Sequence, residues 1–150
     1  MIFNIFIGGA ELIRVIGIDL DGPIWPVVFY NPSIRLPWPL FFLLAPIVLF
    51  AKPDAQVVKK MRAMEEQGCI FIIVSATPNQ FLWFRKLLLK IHRVPFESLY
   101  CIGGGKGTKE RKLKVIQEKN IEVFVDDDSR VLKFLQSNSV KAVRSFHSLN

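Results

Sequence analysis

Three short apolar runs, each ending in a polar residue, constrain this chain more than any other feature. They are RVIGID (14–19), CIFIIVS (69–75) and IEVFVDDD (121–128). Runs of this length, rich in β-branched and aromatic residues, are the pattern of strands buried on both faces. The stretches between them have helical period. Over 54–67, Val57, Val58, Met61 and Met64 share one face, Pro53 and Asp54 open the helix and Gly68 closes it. Over 79–92, Phe81, Phe84, Leu88 and Ile91 form a stripe. A weaker strand at 98–102 precedes the glycine-rich GGGKG at 103–107. Residues 108–119 then read as a helix that is basic outside, with Leu113 and Ile116 inside. A short helix at 131–137 and a last strand at 140–146 complete the pattern. Strands alternating with helices of this length imply βαβ units: an α/β, doubly wound, three-layer Rossmann-like parallel sheet.

Composition sets the outer bounds. With 150 residues, 51% of them apolar and 22% charged, the chain reads as a single globular domain over 1–150. Its formal charge is +7, with basic residues concentrated in 85–93 and 106–119. That balance favours polyanionic partners, nucleic acid among them, by long-range attraction, and is equally a solvated surface. Cys69 and Cys101, in or beside apolar runs, read as buried free thiols of a reducing, cytoplasmic compartment. With only His92 and His147 besides, they do not make a zinc site.

Two segments resist this scheme. The leader MIFNIFIGGAELIR lacks the basic region of a secretory signal, and reads as an extra strand, a disordered leader or a tail packed on the core. Residues 24–52 are apolar and proline-rich. Within them 36–51 is shorter than the roughly 20 residues a membrane-spanning helix needs, and Pro37, Pro39 and Pro46 interrupt it. A flap folded onto the core or a homo-oligomer interface is the expectation, not a membrane span. Trp25, Phe29, Tyr30 and Trp38 would line an entrance or, more plainly, pack.

In open parallel sheets, ligands bind beyond the carboxyl ends of the strands, where strand order reverses. Here those ends carry Asp19 and Asp21, Ser75, and Asp126 with Asp127. A turn explains one such residue but does not predict all of them. Carboxylates packed together repel, and a hard cation such as Mg²⁺ relieves them while keeping room for a substrate phosphate. No histidine stands at these ends, which argues against zinc or a histidine-based hydrolase. Asp19 and Asp21, two apart, emerge on one side of an extended chain. One can attack phosphorus while the other serves the leaving oxygen as acid and then water as base. Ser75 and the backbone N–H of Ala76 would bind phosphate, with a lysine early in 108–119 balancing charge.

Taken together, these motifs resemble the haloacid dehalogenase (HAD) superfamily phosphohydrolases. The strand plus DxDG corresponds to VIGIDLDGP, the strand ending in Ser/Thr to IFIIVSATP, the helix-borne lysine to KERKLKVIQEKN, and the strand ending in paired aspartates to VFVDDDSRVL. The likeness covers residues 14 to about 144. It implies strand order 3-2-1-4-5, Asp19 as nucleophile and Mg²⁺ ligand, and Asp21 as general acid/base that meets the metal through its backbone carbonyl. It further implies Ser75 on phosphate, a charge-balancing lysine, and Asp126 with Asp127 as metal ligands. Lys112 has the better context for that lysine; Lys109 and Lys106 are the alternatives. Pro23 stands where the motif has Thr or Val, fixing φ and removing one N–H.

Residues 24–52, where the family inserts its cap, are too few for a large one. The resemblance therefore implies a capless or minimally capped enzyme, acting on a bulky or macromolecular phosphorylated substrate or borrowing a cap by oligomerising. The functional expectation is Mg²⁺-dependent phosphomonoester hydrolysis through an aspartyl-phosphate. Its rivals are a non-catalytic HAD-fold module that binds nucleic acid or another anionic partner through its basic surface, and a phosphoryl transferase, which the short insertion disfavours. Elsewhere plain readings hold: GGGKG lacks the Lys-Ser/Thr ending of a phosphate loop and reads as a flexible turn. FRKLLLKIHR reads as a core helix with a basic outer face, Thr77 as a turn residue, and Asp128 as a helix cap.

Overall fold

The computed structural model describes residues 14–25 and 51–149. Five parallel strands, β1 (Val15–Ile18), β2 (Ile70–Ser75), β3 (Ser98–Cys101), β4 (Val123–Val125) and β5 (Lys141–Val143), form one sheet in the order β3-β2-β1-β4-β5. The helices between them are α1 (Ala55–Glu65), α2 (Leu82–Ile91, preceded by a 3₁₀ turn Asn79–Phe81), α3 (Thr108–Glu118) and α4 (Ser129–Ser137). This is the doubly wound arrangement that the alternating runs predict. No cap domain is present among the described residues.

The two faces of the sheet separate by strand alternation. Ile16, Ile18, Phe71, Ile73, Val123 and Val125 pack with Val57, Val58 and Met61 of α1 and with Phe84, Leu88 and Leu89 of α2. The intervening Ile72, Val74, Phe124 and Ala142 pack with Ile116 of α3 and with Val131, Leu132 and Leu135 of α4. A fully buried side chain of this size contributes about 1.5–3 kcal/mol, so both layers need their helices. β1 is the central strand, and strand order reverses beside it. Its Gly17 has a packing reason: a Cβ there would meet the Phe124 ring and lie 2.9 Å from Ile121 Cγ2.

Capping follows the sequence. The Asp54 carboxylate accepts from the N–H groups of Gln56 and Val57, and that of Asp128 from the N–H of Arg130. The chain leaves the sheet through a tight loop, closed by the Gly22 N–H on Trp25 O (2.7 Å) and the Trp25 N–H on Leu20 O (3.1 Å). Neither bond uses the amide of residue 23, so Pro23 costs this loop no donor. Trp25 is packed in the core, edge-on to His92, and donates from Nε1 to Ala51 O (3.1 Å), so the chain returns where it left.

Several expectations need correction. Ile91 is 54% exposed; the inner face of α2 is Phe84, Arg85, Leu88 and Leu89, because Arg85 turns its charge inward. Met64 and Leu113 are only partly buried, and of the two free thiols Cys101 is buried while Cys69 is half-buried. GGGKG is not a loose turn: the Arg111 guanidinium donates to the carbonyls of Ile102, Gly103, Gly104 and Lys106 and so clamps it. Residues 1–13 and most of the segment 24–52, with Phe29, Tyr30, Trp38 and nearly all of 36–51, lie outside the described residues. Among the described residues no helix is long and apolar enough to cross a membrane.

Gly17→Ala tests the packing of the central strand. Overfilling a dense core costs about 1–3 kcal/mol. Urea denaturation should show a loss of that size, and an unchanged midpoint would contradict the close approach of Phe124 and Ile121.

Candidate active site

The site begins where β1 and β4 stop. The Asp19 N–H donates to Val125 O (2.8 Å) and the Asp126 N–H to Val143 O (3.1 Å), so each aspartate extends its strand by one residue at the carboxyl edge. Asp19 and Asp126 are 7% and 1% exposed. Lys112 reaches them from α3, on the same face of that helix as Ile116, four residues later. Its Nζ donates to Asp19 Oδ1 at 2.8 Å and to Asp126 Oδ2 at 2.5 Å. Lys106 and Lys109 are exposed, and Lys109 lies over the Phe134 ring. Of the three, Lys112 is the one that meets the carboxylates; Lys106 precedes α3, and Lys109 stands in its first turn against Phe134.

Two acids and one ammonium share this buried space. Burial raises the Asp19 and Asp126 carboxyls above their ordinary range, against the pull of Lys112. Burial alone would lower Lys112, but the carboxylates of Asp19 and Asp126 outweigh it and hold the ammonium protonated. Asp127 is exposed and completes the acidic group. Carboxylate oxygens of Asp19, Asp126 and Asp127 lie within 4.8 Å of one another. Gly22 makes room for this: at φ +108° it adopts a conformation that favours glycine, and a Cβ there would run into the Asp127 carboxyl group. An all-oxygen donor set fits a hard divalent cation, so the three carboxylates can hold a metal ion. Asp128 is not part of the set; its N–H donates to Asp126 Oδ1 (2.9 Å), and its own carboxyl is lowered by the Arg130 guanidinium.

The β2 side of the site is organised differently. Ser75, fully buried at the end of β2, shares a hydrogen bond with Thr77 Oγ1 (2.8 Å) and accepts the Thr77 N–H (3.2 Å). Ala76 occupies the bend between them. Thr77 is 2% exposed and is more than a turn residue: its hydroxyl also accepts from Arg85 Nε (3.2 Å). Arg85 Nη2 then donates to Asp21 Oδ2 (3.1 Å). The Asp21 side chain therefore faces Arg85 and does not join the acidic trio. Burial raises its carboxyl above the usual range, with Arg85 opposing.

Sequence reasoning misses Arg85 and Thr77. One signal for Arg85 exists: it stands three and four residues before Leu88 and Leu89, inside the apolar stripe. A charge on an inner stripe needs a buried partner. Thr77 carries no signal that separates it from a turn residue.

Comparison with known proteins bears on the fold. No family model matches the chain, and no curated protein matches it. Solved structures do. A chain of the Pnkp1/Rnl/Hen1 RNA repair complex superposes with TM-score 0.65 at 15% identity, over 90% of this chain and 43% of that one. This chain therefore spans less than half the length of that neighbour. A hydrolase from Streptococcus pneumoniae TIGR4 gives TM-score 0.60 at 13% identity, over 91% of this chain and 96% of that one. A HAD-superfamily hydrolase, subfamily IA, from Geobacter sulfurreducens gives TM-score 0.55 at 10% identity, over 87% and 85%. The fold is HAD-like.

A divalent cation needs these carboxyls ionised, and burial raises two of them. Protons therefore compete for the site, and competition weakens as pH rises. Calorimetric Mg²⁺ affinity should increase from about pH 6 to about pH 8, with proton release on binding. Equal affinity across that range would contradict a cation held by Asp19 and Asp126.

Proposed function

We propose that the protein is a Mg²⁺-dependent phosphatase that hydrolyses phosphomonoesters through an aspartyl-phosphate on Asp19. One observation carries the reading: Asp19, buried at the carboxyl end of the central strand, is held by the Lys112 ammonium that also holds Asp126. A carboxylate fixed by one oxygen keeps the other for attack.

In the first step the free Asp19 oxygen bonds to phosphorus and the ester P–O bond breaks. Asp21 gives its proton to the departing oxygen, and burial favours the protonated form it needs for this. Ser75 and the Ala76 N–H hold phosphoryl oxygens, while Lys112 balances charge at Asp19. In the second step the Asp21 carboxylate takes a proton from water. The water oxygen bonds to phosphorus, the bond to Asp19 breaks, and inorganic phosphate leaves. Bound through Asp19, Asp126, Asp127 and the Asp21 carbonyl, Mg²⁺ would neutralise phosphoryl charge.

The substrate class is a phosphorylated small molecule or a macromolecular phosphate end. The net charge of +7 and a structural neighbour from an RNA repair complex support nucleic-acid ends as the first class to assay. We read residues 24–52 as the flap or oligomer contact that sets specificity, in a cytoplasmic protein.

Hydrolysis of p-nitrophenyl phosphate should require Mg²⁺, and Asp19→Asn should reduce it by at least about 10³-fold. Turnover by Asp19→Asn equal to wild type would sink the reading. An inactive wild type that still binds Mg²⁺ would favour the non-catalytic binding module instead.

A further inference from the structure

Among the described residues, Arg85 is the buried charged group that the acidic cluster does not use. It is 4% exposed, on the inner face of α2, and among the described residues its guanidinium is only partly satisfied. Nε and Nη2 have partners, whereas Nη1 is buried without one among the described residues. Asp21 Oδ1 is likewise buried and unpartnered there. A pair that only fastened α2 to the β1 loop gains most from the two-pronged contact that guanidinium and carboxylate readily form. Among the described residues a single prong is used, and one oxygen of Asp21 is left over.

The hydrogen bonds on the other side of Arg85 lead through Thr77 to Ser75. A guanidinium only donates, so Thr77 Oγ1 is an acceptor toward Arg85. The Thr77 hydroxyl proton is then available for Ser75 Oγ, which also receives the Thr77 N–H. When Thr77 is the donor of that pair, Ser75 accepts from both its hydroxyl and its N–H and has its own O–H left for phosphate.

We propose that Arg85 is a positioning residue with two outputs: through Nη2 it holds Asp21 so that Oδ1 meets the leaving group, and through Thr77 it aims the Ser75 hydroxyl at phosphate. This rests on the phosphatase reading and extends it to a residue outside the motifs. The two outputs separate by mutation, because Thr77→Val cuts the branch to Ser75 and leaves the Asp21 contact in place.

The test compares p-nitrophenyl phosphate, whose leaving group departs without a proton, with glycerol phosphate, whose leaving group needs one. Arg85→Met should lower kcat/KM for glycerol phosphate by about tenfold more than for the aryl ester, and Asp21→Asn should do the same. Arg85→Lys, which keeps the charge, should recover part of that difference. Thr77→Val should weaken inhibition by inorganic phosphate by about three- to tenfold and leave the aryl-to-alkyl ratio unchanged. Melting curves identify variants that fail to fold, and Arg85→Lys keeps the test decisive if Arg85→Met is one of them. Equal losses on both esters in the folded Arg85 variants would overturn the positioning role while leaving the phosphatase reading intact. A wild type inactive on both esters would overturn both.

Discussion

The Lys112 ammonium, buried between Asp19 and Asp126, is the interaction on which the rest of the structure depends. Taking these charges out of water costs several kcal/mol per ion, and losing one partner of such a group costs about 3–5 kcal/mol. The group therefore exists only if three separate stretches of chain arrive together. β1 must lie beside β4, and α3 must cover the face that carries Phe124. Lys112 must also stand in phase with Ile116. Crossing from β3 at one edge to β4 beyond β1 meets all three conditions. The topology and the charge cluster thus specify one another.

The site has two halves, divided by the loop after β1. On the β4 side, Asp19, Asp126, Asp127 and Lys112 form a dense charged cluster with oxygen donors converging on one point. On the β2 side, Ser75, Thr77, Arg85 and Asp21 form a connected chain of hydrogen bonds. Gly22 serves the first half by admitting the Asp127 carboxyl, and its N–H helps to close the loop that carries Asp21 into the second. The two aspartates of one short motif consequently live in different electrostatic surroundings. Lys112 faces Asp19 and Arg85 faces Asp21. Such separation is what lets neighbouring carboxyls take different roles.

Much of this is legible in the sequence, for a physical reason. Strand ends are local features, so Asp19, Ser75 and Asp126 announce themselves as polar stops on apolar runs. Asp54 and Asp128 are readable as caps because a cap bonds within its own first turn. The choice among Lys106, Lys109 and Lys112 is not readable from spacing alone, since Lys109 and Lys112 both lie on the face of Ile116; in the structure Lys112 is the one that reaches Asp19 and Asp126. Arg85 carries only its place in the apolar stripe as a signal, and it is passed over for the reason that Ile91 is misread. A charge is assigned to the water side by default, and only a distant partner, Asp21, reverses that assignment. The clamp of Arg111 on the glycine-rich loop is hidden in the same way, since its acceptors are backbone carbonyls with no sequence signature. Residues 24–52 carry neither period, because prolines interrupt their apolar run.

The most direct measurement is acid quench of a single turnover with labelled phosphate ester, followed by peptide mapping. Covalent phosphate should appear on Asp19, within the peptide that spans β1, and should disappear as turnover completes. Full turnover with no label on Asp19, or with label on another residue, would contradict the assignment of Asp19 as the nucleophile.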